Sequence, residues 1–143
     1  ARGVIAPLLE RRPAGLFIAN RTADKAEALA RRFSDLAAVD AGNFAKIAGR
    51  TFDVVINATS ASLSGAMLPL PAGTFAPGSL AYDMMYGKGE TPFLTVAREQ
   101  GAGQLADGLG MLVEQAAEAF LAWRGVRPDS APVLAELRAQ LAA

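Results

Sequence analysis

Short apolar runs alternate along the chain with stretches in which apolar residues recur every three or four positions. The first pattern is typical of strands buried in a parallel sheet, and the second of amphipathic helices. In the first part of the chain this pattern predicts a helix to about residue 12, a strand over 16–19 and a helix over 23–33 capped by Thr22. It then predicts a strand end near 38–39, a helical turn over 44–47 and a strand over 53–58.

The same alternation continues after a polar loop over 59–71. It predicts a strand over 79–84, a helix opened by Thr91 and Pro92, an extended piece over 104–106, a long helix over 110–123 and a last helix capped at Asp129 and Ser130. In the long helix we expect a core face made by Leu112, Ala116, Ala119, Phe120 and Trp123. Strands that alternate with helices across short connections predict a single α/β domain with a parallel sheet.

Composition narrows the classes of function. Fourteen basic and fourteen acidic side chains cancel, so we expect a small-molecule partner rather than nucleic acid or a membrane. The absence of cysteine excludes disulfides and fits a cytoplasmic protein. The absence of histidine excludes a histidine-centred metal site or triad, so no metal is expected and proton transfer would need Lys, Asp, Glu or Tyr.

Polar clusters follow three of the predicted strands, where open parallel sheets bind their ligands. They comprise Asn20, Arg21 and Thr22, then residues 57–60, then residues 83–86. Arg21 offers a planar fork for phosphate oxygens at a helix N-terminus, and Lys25 adds a cation one turn further. A capped helix with an exposed arginine explains the first cluster equally well.

The other polar positions also allow two interpretations each. Residues 57–60 are either a ligand-facing loop or, more simply, a turn whose side chains hold their own backbone. Gly108 and Gly110 let a backbone approach a planar ring, and Met111 and Gln115 project from one helix face, where Gln115 could contact a ligand. The alternative is a glycine-rich first turn with Gln115 at a helix boundary. Tyr86 could be a surface aromatic.

In this order, the segments resemble the shikimate dehydrogenase family over nearly the whole chain. Residues 82–86 followed by 88–94, and residues 106–112 with Gln115 and Ala116, are close to two specific family signatures. Three less specific motifs are similar to the end of the family's glycine-rich loop at 1–4, to its NADP-phosphate motif at 20–26 and to its next loop at 56–60.

The resemblance implies a Rossmann-like doubly wound parallel sheet that lacks its first strand and glycine-rich loop, followed by C-terminal helices. Residues 1–143 would be a partial NADP-binding domain, without the family's N-terminal substrate and catalytic domain. The implied activity is the reversible NADPH-dependent reduction of 3-dehydroshikimate to shikimate, in the biosynthesis of chorismate and aromatic amino acids.

Carried over by position, the resemblance also implies site residues. The adenosine 2′-phosphate of NADP would be held by Asn20, Arg21, Thr22 and Lys25, the nicotinamide side lined by Ala58, Met84, Gly108 and Met111, and shikimate contacted by Tyr86 and Gln115. The family's catalytic Lys–Asp pair matches no position, so no residue here is expected to be catalytic. We expect the isolated chain to be inactive and to bind NADP weakly at most.

The first strand of such a sheet lies at its centre, so without it the neighbouring backbone groups would lack partners. We therefore expect rearrangement, strand exchange in a homodimer, or a chain that is a piece of a longer protein. Two functional alternatives remain: a quinate/shikimate dehydrogenase of broader specificity, and a non-catalytic nucleotide-binding module of the same fold.

Overall fold

A computed structural model describes residues 2–59 and 67–142 of the chain. The contacts divide it into two compact units, one made of Ala1–Thr51 with Pro69–Thr74 and the other of Phe52–Leu68 with Phe75–Ala143. Both units combine helices with parallel strands, so the α/β class is confirmed. That the whole chain forms one domain stays a prediction. Among the described residues, no helix combines the length and the hydrophobicity needed to cross a bilayer.

The first unit is a small parallel sheet with helices. Its elements are α1 (Arg2–Glu10), β1 (Phe17–Ala19), α2 (Ala23–Arg31), β2 (Asp40–Gly42) and a 3₁₀ helix (Phe44–Ile47). β1 pairs in parallel with β2, and α2 packs on both strands through buried Ala26 and Ala30, whose small side chains allow a close approach. The strand predicted near 38–39 begins at Asp40. β1 is half-buried because a two-stranded sheet covers it incompletely.

The second unit carries the larger sheet. Its elements are β3 (Phe52–Asn57), β4 (Phe75–Asp83), α3 (Pro92–Glu99), β5 (Gln104–Ala106), α4 (Leu109–Arg124) and α5 (Ala131–Ala142). The strand order is β3-β4-β5, all parallel. Asn57 lies opposite Asp83, and Tyr82 opposite Ala106, so the three strands end at the same edge.

β4 is longer than predicted, because it already begins at Phe75. Pro77 and Gly78, which precede the predicted strand, lie inside β4. Gly78 takes a φ of 77°, and a Cβ on Gly103 would lie 2.5 Å from the Cα of Gly78. Two glycines therefore let the backbones meet at the amino end of the sheet.

The predicted core face of α4 is wrong. The buried positions are Leu109, Val113 and Ala117, whereas Phe120 is 44% and Trp123 81% exposed. Apolar residues occupy two sides of this helix, and its rotation is set at its start, where Leu109 is buried directly after the sheet edge. The expected core residues Leu112, Ala116 and Phe120 instead line an apolar groove of about 310 Å³ shared with α5.

Candidate functional site

The first unit places a polar turn at the carboxyl end of β1. The backbone N–H of Asn20 donates to the carbonyl of Gly42 over 3.0 Å, and its side-chain Oδ1 accepts the Thr22 N–H over 2.9 Å. Thr22 occupies the predicted N-cap position of α2, but its side chain makes no capping hydrogen bond. Asn20 orders the turn instead, and Arg21 and Lys25 are exposed beside it.

A third cation lies at the same end of the β1–β2 sheet. The side chain of Lys46 crosses Gly42 so closely that a Cβ there would lie 2.3 Å from Lys46 Cδ. Its Nζ is 3.5 Å from Glu27 of α2. Sequence reasoning missed Lys46, because only the pairing of β2 with β1 brings the 3₁₀ helix to the same edge as the Asn20 turn. Cations beside the N-terminus of α2 make this edge suited to an anion.

In the second unit, a buried hydrogen-bond network begins at Asn57. Asn57 Oδ1 accepts from the backbone N–H of Thr59 over 3.0 Å and from its hydroxyl over 2.8 Å. The two side chains thus form a turn that holds its own backbone, in agreement with the simpler of the two interpretations. Ser60, the last residue of the predicted cluster, lies outside the described residues.

Asp83 joins three segments at this edge and has no exposed surface. Its Oδ1 accepts from Asn57 Nδ2 over 3.1 Å and from the Met85 N–H over 3.0 Å, while Oδ2 accepts the Thr91 hydroxyl over 2.6 Å. Thr91 in turn caps α3 by accepting the Leu94 N–H. From the sequence, Asp83 belonged to a polar cluster but had no role of its own. The structure gives it the role of holding the loop that follows β4.

Gly108 packs directly against the backbone of that loop. Its N–H donates to the Met85 carbonyl over 3.0 Å, and a Cβ would lie 2.1 Å from the carbonyl oxygen of Met84. The need for glycine here arises from this contact within the protein, which requires no planar ligand. Because the Met84 N–H donates to the Asn57 carbonyl, Met84 and Gly108 lie together at the edge where Ala58 follows β3.

Asp107 is held by an arginine from the last helix. Arg138 of α5 forks onto it, with Nη1 donating to Oδ2 over 2.6 Å and Nη2 to Oδ1, which also accepts the Leu109 N–H. Burial acts to raise the pKa of Asp107, but the hydrogen bonds from Arg138 and Leu109 outweigh it and the pKa is lowered. The pKa of Tyr82 is raised by burial and by the nearby Asp107 charge.

The other predicted site residues of this unit are more accessible. Met111 is half-buried near the start of α4. Gln115 is exposed and well inside the helix, so the alternative that placed it at a helix boundary is wrong. Tyr86 is 41% exposed in the loop after β4. The structure thus places Gly108 against the Met84 backbone, at the edge where Ala58 follows β3. Asn20, Arg21, Thr22 and Lys25 belong to the other unit.

Two family models match the chain. One is described as Shikimate / quinate 5-dehydrogenase and matches residues 1–64. The other is described as Shikimate 5'-dehydrogenase C-terminal domain and matches residues 108–138. Among curated proteins, the shikimate dehydrogenase (NADP(+)) of Dechloromonas aromatica (strain RCB) is 73% identical over 143 residues, which are 100% of this chain and 52% of that protein. The chain spans about half the length of the curated relatives it matches.

Solved structures of dehydrogenases and other enzymes are also similar to this chain. A crystal structure of an Ael1 enzyme from Pseudomonas putida is 52% identical with a TM-score of 0.84, covering 94% of this chain and 49% of that one. The shikimate 5-dehydrogenase of Thermus thermophilus, solved in complex with NADP(H) and shikimate, is 30% identical with a TM-score of 0.74, covering 94% and 49%. These neighbours confirm a Rossmann-like fold.

Proposed function

The chain belongs to the shikimate dehydrogenase family, and on this premise we propose that it is the NADP-binding part of an enzyme that reversibly reduces 3-dehydroshikimate to shikimate. The enzyme would act in the biosynthesis of chorismate and aromatic amino acids. The observation that carries the proposal is the cation-flanked turn at the end of β1, where Arg21 and Lys25 are exposed beside the start of α2. The relatives' name, which includes NADP(+), supports the choice of cofactor.

The turn after β1 fits the adenosine 2′-phosphate. Asn20 uses its side-chain oxygen to shape the turn, so Thr22 keeps a hydroxyl that is not engaged in capping. Arg21 provides a planar fork and Lys25 a point charge, both of which favour a phosphate over an uncharged ribose hydroxyl. These four residues are our proposed phosphate-binding set.

The edge of the second unit fits the nicotinamide side. Ala58, Met84 and Met111 are half-buried small or apolar residues, and the buried Gly108 packs on Met84. The Asp83 network ties the end of β3 at Asn57 to the backbone N–H of Met85. A pre-ordered apolar edge of this kind orients a planar ring without loss of loop entropy on binding. When bound, NADPH supplies the hydride, and these residues supply its orientation.

Tyr86 and Gln115 are the proposed substrate contacts. Both have exposed side chains that can donate and accept hydrogen bonds, as a polyhydroxylated ring such as shikimate requires. Substrate breadth is the main alternative, because one matching family model is named for both shikimate and quinate. That the chain alone turns over no substrate stays a prediction.

The nucleotide preference tests the proposal. We expect the chain to bind NADP⁺ weakly and NAD⁺ more weakly still. Arg21→Gln should lower the affinity for NADP⁺ roughly tenfold or more, because a charge-assisted phosphate contact is lost. The affinity for NAD⁺ should not change. Titrations followed by NMR chemical shifts measure both affinities.

Arg32→Gln is the matched control, because Arg32 is an exposed arginine at the other end of α2. It should change neither affinity. If Arg21→Gln lowered the affinities for NADP⁺ and NAD⁺ equally, or lowered neither, the assignment of Arg21 to the 2′-phosphate would be contradicted.

Assembly and location are further parts of the proposal. Association of two copies, by strand exchange or otherwise, is supported by the edge position of β3 and by half-exposed Val54 on that strand. A cytoplasmic location is supported by the absence of cysteine.

A further inference from the structure

A continuous set of contacts leads from the last helix to the proposed nicotinamide edge. Arg138 of α5 forks onto Asp107, and Asp107 accepts the N–H of Leu109 at the start of α4. Between them, Gly108 packs on the Met84 carbonyl and donates its N–H to the carbonyl of Met85. Apart from the half-exposed Arg138 guanidinium, the groups in contact are backbone groups and the largely buried Asp107 carboxylate.

We propose that Arg138 is a positioning residue, which fixes the Gly108 turn through Asp107 and thereby holds Met84 in place for the nicotinamide. The proposal rests on the function proposed above. Arg138 is remote in sequence from every predicted site residue and is not among the residues proposed to contact NADP or shikimate. Its effect would pass entirely through Asp107.

The geometry of the fork supports this role. Two parallel N–H···O bonds fix the carboxylate in orientation as well as in position, which a single contact cannot do. The Asp107 side chain is only 9% exposed, so water competes poorly for it. Its oxygen Oδ1 is shared between Arg138 and the Leu109 N–H, and a change at the arginine must therefore be felt at the first turn of α4.

A purely structural interpretation is that the fork only docks α5. This helix has no buried residue among those described, and it meets α4 across an open apolar groove, so it does need an anchor. The two interpretations differ in one respect. Docking alone would leave the Gly108 and Met85 backbone unchanged when Arg138 is replaced, whereas positioning would not.

Amide hydrogen exchange of the chain distinguishes them. In Arg138→Gln we expect faster exchange at Gly108 and Leu109, whose N–H groups bond to the Met85 carbonyl and to Asp107. Arg138→Lys keeps the charge but not the fork, and should lie between the wild type and Arg138→Gln. Glu136→Gln is the control, because Glu136 pairs with Gln140 on the same helix and has no part in the fork.

A binding measurement tests the functional part. Arg138→Gln should weaken the binding of NADPH roughly 3- to 30-fold, the range expected for a residue that is coupled to a site without contacting it. Adenosine 2′,5′-bisphosphate has the phosphate but no nicotinamide, and its affinity should not change. Glu136→Gln should alter neither affinity.

The outcomes separate this inference from the proposed function. Unchanged exchange at Gly108 in Arg138→Gln overturns the positioning role, whether or not nucleotide binds. Altered exchange with equal NADPH affinity overturns the link to the nicotinamide. A wild-type chain that binds neither ligand at high concentration overturns the proposed function, and the exchange result then stands alone as a test of the contact path.

Discussion

Gly108 is a residue whose identity is decided by one backbone contact. Its φ of −76° is accessible to any residue, so the requirement for glycine is steric rather than conformational. The space that a side chain would need is taken by the Met84 carbonyl, at 2.1 Å from the Cβ position. Around the Cβ position of Gly110, two positions later, no atom lies within 4 Å apart from its chain neighbours and the backbone of its own helix.

These two glycines should therefore respond oppositely to alanine. Gly108→Ala should destabilise the chain by roughly 1–3 kcal/mol or more, because the loop after β4 must shift. Gly110→Ala lies in the first turn of α4 and should stabilise it by at most about 1 kcal/mol, since alanine loses less entropy in a helix. Urea unfolding of the two variants measures both effects. If both variants changed the free energy of unfolding by the same amount, the Met84 contact would not be what excludes a side chain at position 108.

At the scale of secondary-structure elements, helix α5 is held in place by polar contacts. Arg138 reaches Asp107, while Arg127 and Ser130, just before the helix, bind Glu114 of α4. A helix without buried residues gains little from the hydrophobic effect, so its position depends on charge. Its sequence predicted the helix and its cap at Asp129, where Oδ1 accepts the Ala131 N–H, but not its partner, because Asp107 is distant along the chain.

This dependence predicts how stability varies with pH. The folded pKa of Asp107 lies below its ordinary value near 3.8, so its contribution is complete above that value and is lost as the pH falls through the lowered pKa. The stability difference between wild type and Asp107→Asn should be constant near neutral pH and shrink below about pH 4. Urea unfolding across the acid range measures it.

Arg98→Gln provides the comparison, because Arg98 pairs with Glu90 in a solvent-exposed position. Loss of such a pair should cost no more than about 1 kcal/mol. A difference for Asp107→Asn that grows as the pH falls would contradict the sign of the pKa shift.

At the scale of the whole molecule, apolar surface remains accessible on the α4–α5 side of the second unit. Leu112, Phe120 and Val133 are each at least 40% exposed, and Trp123 is 81% exposed. Accessible apolar surface of this extent marks a face that a partner, or a second copy, can cover.

The single tryptophan makes this face measurable. In dilute solution Trp123 should show the red-shifted emission and efficient acrylamide quenching of a hydrated indole. If copies associate through this face, quenching should decrease as the protein concentration rises, with a midpoint that matches the mass measured by sedimentation. Association without any change in quenching would place the contact elsewhere, for instance at the β3 edge.

Sequence alone determined what depends on local pattern. Periodicity and turn chemistry predicted a helical turn over 44–47, which the structure shows as a 3₁₀ helix, and an extended piece over 104–106, which is β5. They also predicted the opening of α3 by Thr91 and Pro92, because all three features depend on neighbouring residues. The pattern of apolar runs followed by polar residues likewise indicated which strand ends carry polar clusters. Tertiary structure decided the rotation of α4, since apolar residues on two sides left it undetermined. Only the tertiary structure revealed the Asp83 network and the pair of hydrogen bonds from Arg138. Both join residues far apart in the chain, and the spacing of residues along the sequence does not indicate such pairs.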